Sequence, residues 1–161
     1  MNTGAVIAVS VLLVAACWTD LRTMRIPNAL NVGFACCGLL YQLIYHGYSG
    51  LVFAVVGAIA GILPLYALFL MRGMGGGDVK WFGAFGIWMG ALPTLRLMLY
   101  SIVFAGAIAA ILVLLRLPVL RKLGERIRWP WGLHPVSQGK GARFPFMLAV
   151  APSFIMLLGQ G

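Results

Sequence analysis

The chain has 161 residues, of which 62% are apolar and only 9% are charged. A soluble domain carries about a quarter charged residues, so this composition excludes an ordinary soluble fold and predicts one all-α domain, residues 1–161, embedded in a lipid bilayer. The net charge of +9 does not indicate nucleic-acid binding, because the basic residues lie in short gaps between apolar runs and no recognition motif accompanies them.

Six apolar runs are predicted to be transmembrane helices, since a crossing needs about 20 largely apolar residues. In chain order they cover about 3–19, 29–45, 51–71, 79–92, 94–116 and 144–158. Pro27 is predicted to start the second helix, and Pro64 is a candidate for a kink in the third. The first run has no basic segment before it, which predicts a retained helix and not a cleaved signal peptide.

The basic residues are distributed unevenly among the gaps between these runs. The gaps after the first, third and fifth runs hold all 12 basic residues except Arg96. Basic residues favour cytoplasmic loops, so these three gaps are predicted to face the cytoplasm and both termini to face outward.

The fifth gap, about 117–143, is the one sizeable polar segment. It contains Trp129 and Trp131, which are typical of the membrane interface. We interpret it mainly as a basic cytoplasmic loop that lies on anionic lipid head groups. A substrate-docking surface is the alternative.

Only three acidic residues occur, and two of them, Asp20 and Asp78, lie at predicted cytoplasmic helix ends. Acids at membrane depth are costly and usually face a cavity or a partner. Two carboxyls in one site share a proton, so that one activates water and the other donates to a substrate carbonyl. The pair is therefore a candidate catalytic dyad. The alternative is that each caps a helix end or pairs with a nearby Arg or Lys.

A glycine-rich stretch, Gly75, Gly76 and Gly77, directly precedes Asp78. Glycines permit φ > 0 and close approach of another chain, and we expect a flexible backbone that binds an extended peptide by strand addition. Packing between helices through small residues is the alternative. A phosphate loop is a poorer fit, because no Lys-Ser/Thr follows the glycines.

These residues resemble a known pattern. The stretch Gly75-Gly76-Gly77-Asp78 matches the GxGD motif of intramembrane aspartyl proteases, and Lys80 completes the GxGDxK form of prepilin peptidases. Asp20, followed by a basic stretch and Ile26-Pro27-Asn28, resembles the first motif of the same group. The chain is thus similar to the type IV prepilin leader peptidases, and most like the short peptidases of tight-adherence (Flp) pilus systems.

The resemblance implies an aspartic endopeptidase in the bacterial inner membrane with Asp20 and Asp78 as catalytic residues and no metal or organic cofactor. Its partner would be a prepilin or pseudopilin precursor, cut at the cytoplasmic face after a short basic leader. Gly75, Gly76, Gly77 and Lys80 would contact this substrate, although a purely structural role for Lys80 is equally compatible. The chain has no CxxC pair, so we expect cleavage without the N-methylation performed by larger members.

Three other functions remain open at this stage. Preflagellin peptidases of archaea share the aspartate pair. A proton-coupled transporter that uses the same two aspartates is the main alternative from another class, and a non-catalytic scaffold of a secretion machine is the third. A transporter is expected to carry ionisable residues nearer its helix centres, and none is evident.

Overall fold

The computed structural model describes residues 3–71, 73–114 and 145–160, and every regular element in these ranges is an α-helix. The helices are α1 (Thr3–Thr23), α2 (Asn28–Leu70), α3 (Gly76–Met89), α4 (Ala91–Leu114) and α5 (Met147–Leu158). Helices α1, α2 and α4 are long and apolar enough to cross a membrane, and α5 is a shorter apolar helix. The predicted all-α class is confirmed. The predicted loop at 117–143 lies outside the described residues.

Helix α2 consists of two helical segments that meet at Gly47. This residue has φ 59° and ψ −143°, a conformation that side chains with a Cβ rarely adopt. The two segments correspond to the predicted second and third spans. The structure has a single non-helical residue where a loop was predicted between these spans. The non-helical break is at Gly47, and Pro64 lies inside the second segment.

Helix α3 forms the core of the bundle. Its residues from Val79 to Met89 are all buried except Lys80. Aromatic rings dominate this core: Trp81 stacks on Phe85 with ring centroids 5.5 Å apart, and Phe85 meets Phe154 of α5 edge-on. A helix that is buried all round must be enclosed by its neighbours, and here α2 provides most of the enclosure.

The two segments of α2 run in opposite directions along α3. In the first segment Asn31 contacts Gly77 near the start of α3, and Gln42 contacts Ile87 near its end, so the segment is parallel to α3. In the second segment Gly57 meets Gly86, and the later Gly61 meets Phe82, so that segment is antiparallel. The chain therefore reverses direction at Gly47.

Glycines bring the second segment of α2 and α3 into backbone contact. A Cβ built on Gly57 would fall on the carbonyl oxygen of Gly86, and one built on Gly86 would fall on the carbonyl of Gly57. Membrane helices commonly pack through small residues in this way. The packing glycines thus lie at these positions, away from the Gly75–Gly77 stretch.

Helix α1 has a buried and an exposed face. Its exposed face carries large apolar side chains at helical spacing, as expected for contact with lipid: Ile7, Val11, Val14 and Trp18. The opposite face is buried and consists of Ala5, Val9, Leu12, Leu13, Ala16 and Asp20. Asp20 therefore continues an apolar stripe that faces the other helices, and the helix itself directs this carboxyl inward.

Candidate active site

Four helix ends meet at one end of the bundle. The C-terminal end of α1 contacts the N-terminal end of α5 through Asp20 and Met147. The N-terminal ends of α2 and α3 are joined by a hydrogen bond between Asn31 and Gly77. Both acids singled out from the sequence lie at these ends, so the fold brings together two residues that are far apart in the chain.

A cavity of about 340 Å³ lies between these helix ends. The six site residues predicted from the sequence all line it: Asp20, Gly75, Gly76, Gly77, Asp78 and Lys80. The remaining lining residues come from the segment that leads from α1 into α2, namely Met24, Arg25, Ile26 and Asn28. No group of three or more metal-ligating side chains occurs within the described parts of the chain.

A residue of α5 holds the carboxylate of Asp20 in place. Only 5% of its surface is exposed, and its Oδ2 accepts a hydrogen bond from the backbone N–H of Met147 at 3.0 Å. Met147 begins α5, so the partial positive charge at that helix end lies against the carboxylate. Of the predicted ion-pair partners Arg22, Arg25 and Lys80, Arg22 lies over the ring of Trp18 and Lys80 donates to Asn28.

Asp78 lies in the first turn of α3 and is half-buried. The backbone of Gly75 lies beside its carboxylate, and the charges of Asp78 and Asp20 interact. Its own N–H donates to the carbonyl of Gly75 at 3.1 Å. An acid at this position also stabilises the N-terminus of the helix, so Asp78 both caps α3 and lines the cavity.

The Gly75–Gly77 stretch is more regular than expected. Gly76 and Gly77 belong to the first turn of α3, and Gly75 is extended with φ −75° and ψ 142°. None of the three has a positive φ, so the expectation of φ > 0 is wrong at these positions. The helix starts earlier than predicted because Gly75 accepts hydrogen bonds from the N–H groups of Asp78 and Val79.

One motif glycine leaves space for the Asp78 carboxylate. A Cβ on Gly75 would lie 3.0 Å from Oδ2 of Asp78, which is tight enough to shift this candidate catalytic carboxylate by a few tenths of an ångström. A Cβ on Gly77 would lie 3.4 Å from the Cβ of Ile26, which is an ordinary van der Waals distance. The two motifs are therefore in direct contact at Gly77 and Ile26.

Further contacts join the two motifs directly. Nζ of Lys80 donates a hydrogen bond to Oδ1 of Asn28 at 2.9 Å, and Ile26 is buried against Gly77. Pro27 caps the N-terminus of α2, which begins at Asn28, so its predicted position at the start of this helix is confirmed. The Ile-Pro-Asn sequence thus turns the chain and supplies the partner for Lys80.

Several residues of this site were not predicted as site residues. The cavity is also lined by Met24, Arg25, Ile26 and Asn28. Their position between Asp20 and the start of α2 is the feature of the sequence that could have indicated this. Met24 ends α1 with a φ of 49°, unusual for a residue other than glycine. Nothing in the sequence indicated that the backbone of Met147 contacts Asp20, because almost every residue has a backbone N–H.

Comparison with known proteins identifies the family. The family model described as the type IV leader peptidase family matches residues 7–111, which is more than half of the chain and includes both aspartates. The chain belongs to this family. The resemblance recognised from the two motifs is therefore confirmed.

Curated relatives agree with this assignment. A prepilin leader peptidase/N-methyltransferase of Aeromonas salmonicida (strain A449) is 41% identical over 125 residues, 71% of this chain and 42% of the relative. One of the same name from Pectobacterium carotovorum subsp. carotovorum is 38% identical over 104 residues, 59% of this chain and 37% of the relative. The chain thus spans less than half the length of these relatives. No solved structure gives a significant match.

Proposed function

We propose that this protein is an aspartic endopeptidase that cuts the short basic leader from type IV prepilins of the Flp kind at the cytoplasmic face of the bacterial inner membrane. The observation that carries the proposal is the cavity shared by Asp20 and Asp78, each contributed by one of the two motifs. Membership of the type IV leader peptidase family and the names of the relatives support type IV prepilins as the substrate class.

The chemistry follows from two carboxyls that share one proton. The ionised carboxyl takes a proton from a water molecule as the water oxygen attacks the scissile carbonyl carbon, and the protonated carboxyl donates to the carbonyl oxygen. The tetrahedral intermediate then collapses, and the amine leaves with a proton returned by the dyad. Titration belongs to the pair and not to either residue, because the two charges interact.

Substrate access depends on the glycines that line the cavity. Gly75, Gly76 and Gly77 present no side chains, so an extended peptide backbone can approach the carboxyls closely. The carbonyl of Gly75 already accepts hydrogen bonds from Asp78 and Val79, so we assign these glycines to steric access and not to strand addition at Gly75. Lys80 and Arg25 also line the cavity, where we assign them to contacts with carbonyl groups of the substrate backbone.

We further propose six membrane crossings with both termini outside. The reversal at Gly47 divides α2 into two crossings, and its 43 residues are about twice the length that one crossing needs. Arg22, Arg25 and Lys80 lie at the same bundle end as the dyad, which supports a cytoplasmic location for that end. The anionic head groups of the inner leaflet are then neighbours of the site.

Co-expression with a Flp-type prepilin tests the proposed function. We expect the precursor to shorten on a gel and its new N-terminus to begin just before the hydrophobic stretch. An archaeal preflagellin precursor in a parallel culture distinguishes the neighbouring specificity. Unshortened prepilin beside correctly inserted protein would contradict the proposal and favour the transporter or scaffold alternatives.

The relatives' names also contain N-methyltransferase. Cleavage without N-methylation remains a prediction for this chain. Mass spectrometry of the processed pilin tests it, since methylation adds 14 Da, about the mass of one CH₂ group. An unmodified N-terminus is the expected result.

A further inference from the structure

Asn31 is a buried polar residue next to the candidate dyad but outside its cavity. It lies in the first turn of α2, 3% of its surface is exposed, and its Nδ2 donates a hydrogen bond to the carbonyl oxygen of Gly77 at 3.1 Å. A carbonyl only accepts hydrogen bonds, so this contact fixes which end of the amide faces α3. The Oδ1 atom is buried and has no partner among the described residues.

The carbonyl that Asn31 contacts belongs to the peptide group that carries Asp78. The other half of this peptide, the N–H of Asp78, donates to the carbonyl of Gly75 at 3.1 Å. The Gly77–Asp78 peptide is therefore held on both sides, once within its own motif and once from α2 by Asn31. The orientation of this peptide group determines the direction in which the Asp78 side chain points.

The Oδ1 of Asn31, which has no partner among the described residues, argues against a purely stabilising role for this side chain. A buried acceptor without a partner is destabilising, whereas an apolar side chain of similar shape at that position would avoid this cost. The half of the amide that is satisfied is the half that contacts the dyad motif. A polar residue placed at a cost to stability is typical of functional sites.

We propose that Asn31 is a positioning residue, which orients the Gly77–Asp78 peptide and thereby holds the Asp78 carboxyl in the cavity that it shares with Asp20. The proposal rests on the proposed function, because it requires Asp78 to act in catalysis. It assigns Asn31 no contact with substrate. Loss of its N–H therefore slows the chemical step and leaves substrate binding nearly unchanged.

The same helix offers a matched control. Gln42 is also a buried amide on α2, with 4% of its surface exposed. Its Nε2 donates to the carbonyls of Ile87 and Trp88 at 3.3 and 3.4 Å, at the opposite end of α3. Asn31 and Gln42 thus make the same kind of contact between the same two helices, and only Asn31 does so beside the dyad.

The test compares Asn31→Leu with Gln42→Met in purified protein, with kcat and KM for a prepilin and the thermal unfolding temperature measured for both. We expect kcat of N31L to fall about 10- to 100-fold while KM changes less than about 3-fold, since small displacements of catalytic groups have effects of this size. Its unfolding temperature should equal or exceed that of the wild type. Q42M should keep kcat within about 3-fold.

A second variant keeps the test decisive if N31L does not insert. Asn31→Asp preserves the shape and, once ionised, lacks the donor, so its kcat should also fall, and the deficit should grow as pH rises. A kcat near the wild-type value in N31L or N31D would overturn the positioning role. So would equal losses of kcat and of stability in N31L and Q42M. If the wild-type protein leaves the precursor uncut, the proposed function itself is overturned. Failure of the positioning role and failure of the proposed function are therefore distinguishable.

Discussion

The backbone N–H of Met147 donates a hydrogen bond to Oδ2 of Asp20 at 3.0 Å, and so joins the last turns of α1 to the first turn of α5 across 127 residues of sequence. An asparagine at position 20 also offers an oxygen acceptor to this N–H. Asp20→Asn therefore removes the charge and keeps the contact between the helices. This makes Asn the informative substitution for testing the dyad.

Gly75→Ala is predicted to impair catalysis through a steric effect on the neighbouring acid. The added Cβ would lie 3.0 Å from Oδ2 of Asp78, so the carboxylate has to shift by a few tenths of an ångström. We expect kcat for prepilin cleavage to fall about 3- to 10-fold, because a displacement of about 1 Å costs roughly 100-fold and this shift is smaller. Gly33→Ala is the control, since a Cβ on Gly33 meets nothing within 4 Å. Equal kcat values for the two variants would contradict the steric explanation.

Lys80→Met is predicted to weaken substrate binding more than it slows the reaction. Lys80 is exposed, lines the cavity and is bonded to Asn28, so its removal leaves the dyad in place. We expect KM to rise about 3- to 10-fold with kcat within about 2-fold. Arg22→Met is the control with the same change in charge, because Arg22 stacks over Trp18 and lies outside the cavity. A KM equally raised in both variants would indicate a general charge effect.

Much of the site could be predicted from the sequence, because acids are so rare in this chain that the two motifs stand out. The helical class was also predictable, since apolar runs of sufficient length must form helices in lipid. The contacts that assemble the site were not predictable. Nothing in the local sequence indicates that Asn31 reaches Gly77 or that a Met147 N–H reaches Asp20, because both depend on how distant helices pack.

The glycines show why pattern alone was insufficient. Glycine has two uses, unusual φ angles and close approach, and the sequence does not distinguish them. At Gly47 and Gly90 the backbone has a positive φ, whereas Gly75 has a negative φ and leaves room for the Asp78 carboxylate. The prediction gave the motif glycines both uses, and only the positive φ is wrong there.

Gly57→Ala is predicted to destabilise the bundle at the contact between α2 and α3. The added Cβ would fall on the carbonyl oxygen of Gly86, so the two helices must separate. We expect a loss of about 1–3 kcal/mol in the free energy of unfolding, as is usual for overpacking. Thermal or denaturant unfolding in detergent measures it. Gly106→Ala, where a Cβ meets nothing within 4 Å, should be neutral, and equal unfolding of both variants would contradict the packing role.

The proposed topology predicts the location of tags. Reporters fused at Met1 and at Gly161 should be accessible from outside the inner membrane, and a reporter inserted near Gly139 should be accessible only from the cytoplasm. Protease protection in spheroplasts measures all three. The opposite pattern would place Asp20 and Asp78 at the outer face, where a cytoplasmic leader cannot reach them.

The dyad itself is tested most directly by the cleavage rate of a purified prepilin in proteoliposomes, with wild type, Asp20→Asn and Asp78→Asn compared under single-turnover conditions. Cys17→Ala serves as the control, because Cys17 also contacts Met147 but carries no carboxyl. We predict that each Asn variant inserts normally and cleaves at least about 10³-fold more slowly, within the range for loss of a catalytic acid or base, while Cys17→Ala stays near the wild-type rate. Cleavage by either Asn variant within about tenfold of the wild-type rate would contradict a catalytic pair formed by Asp20 and Asp78.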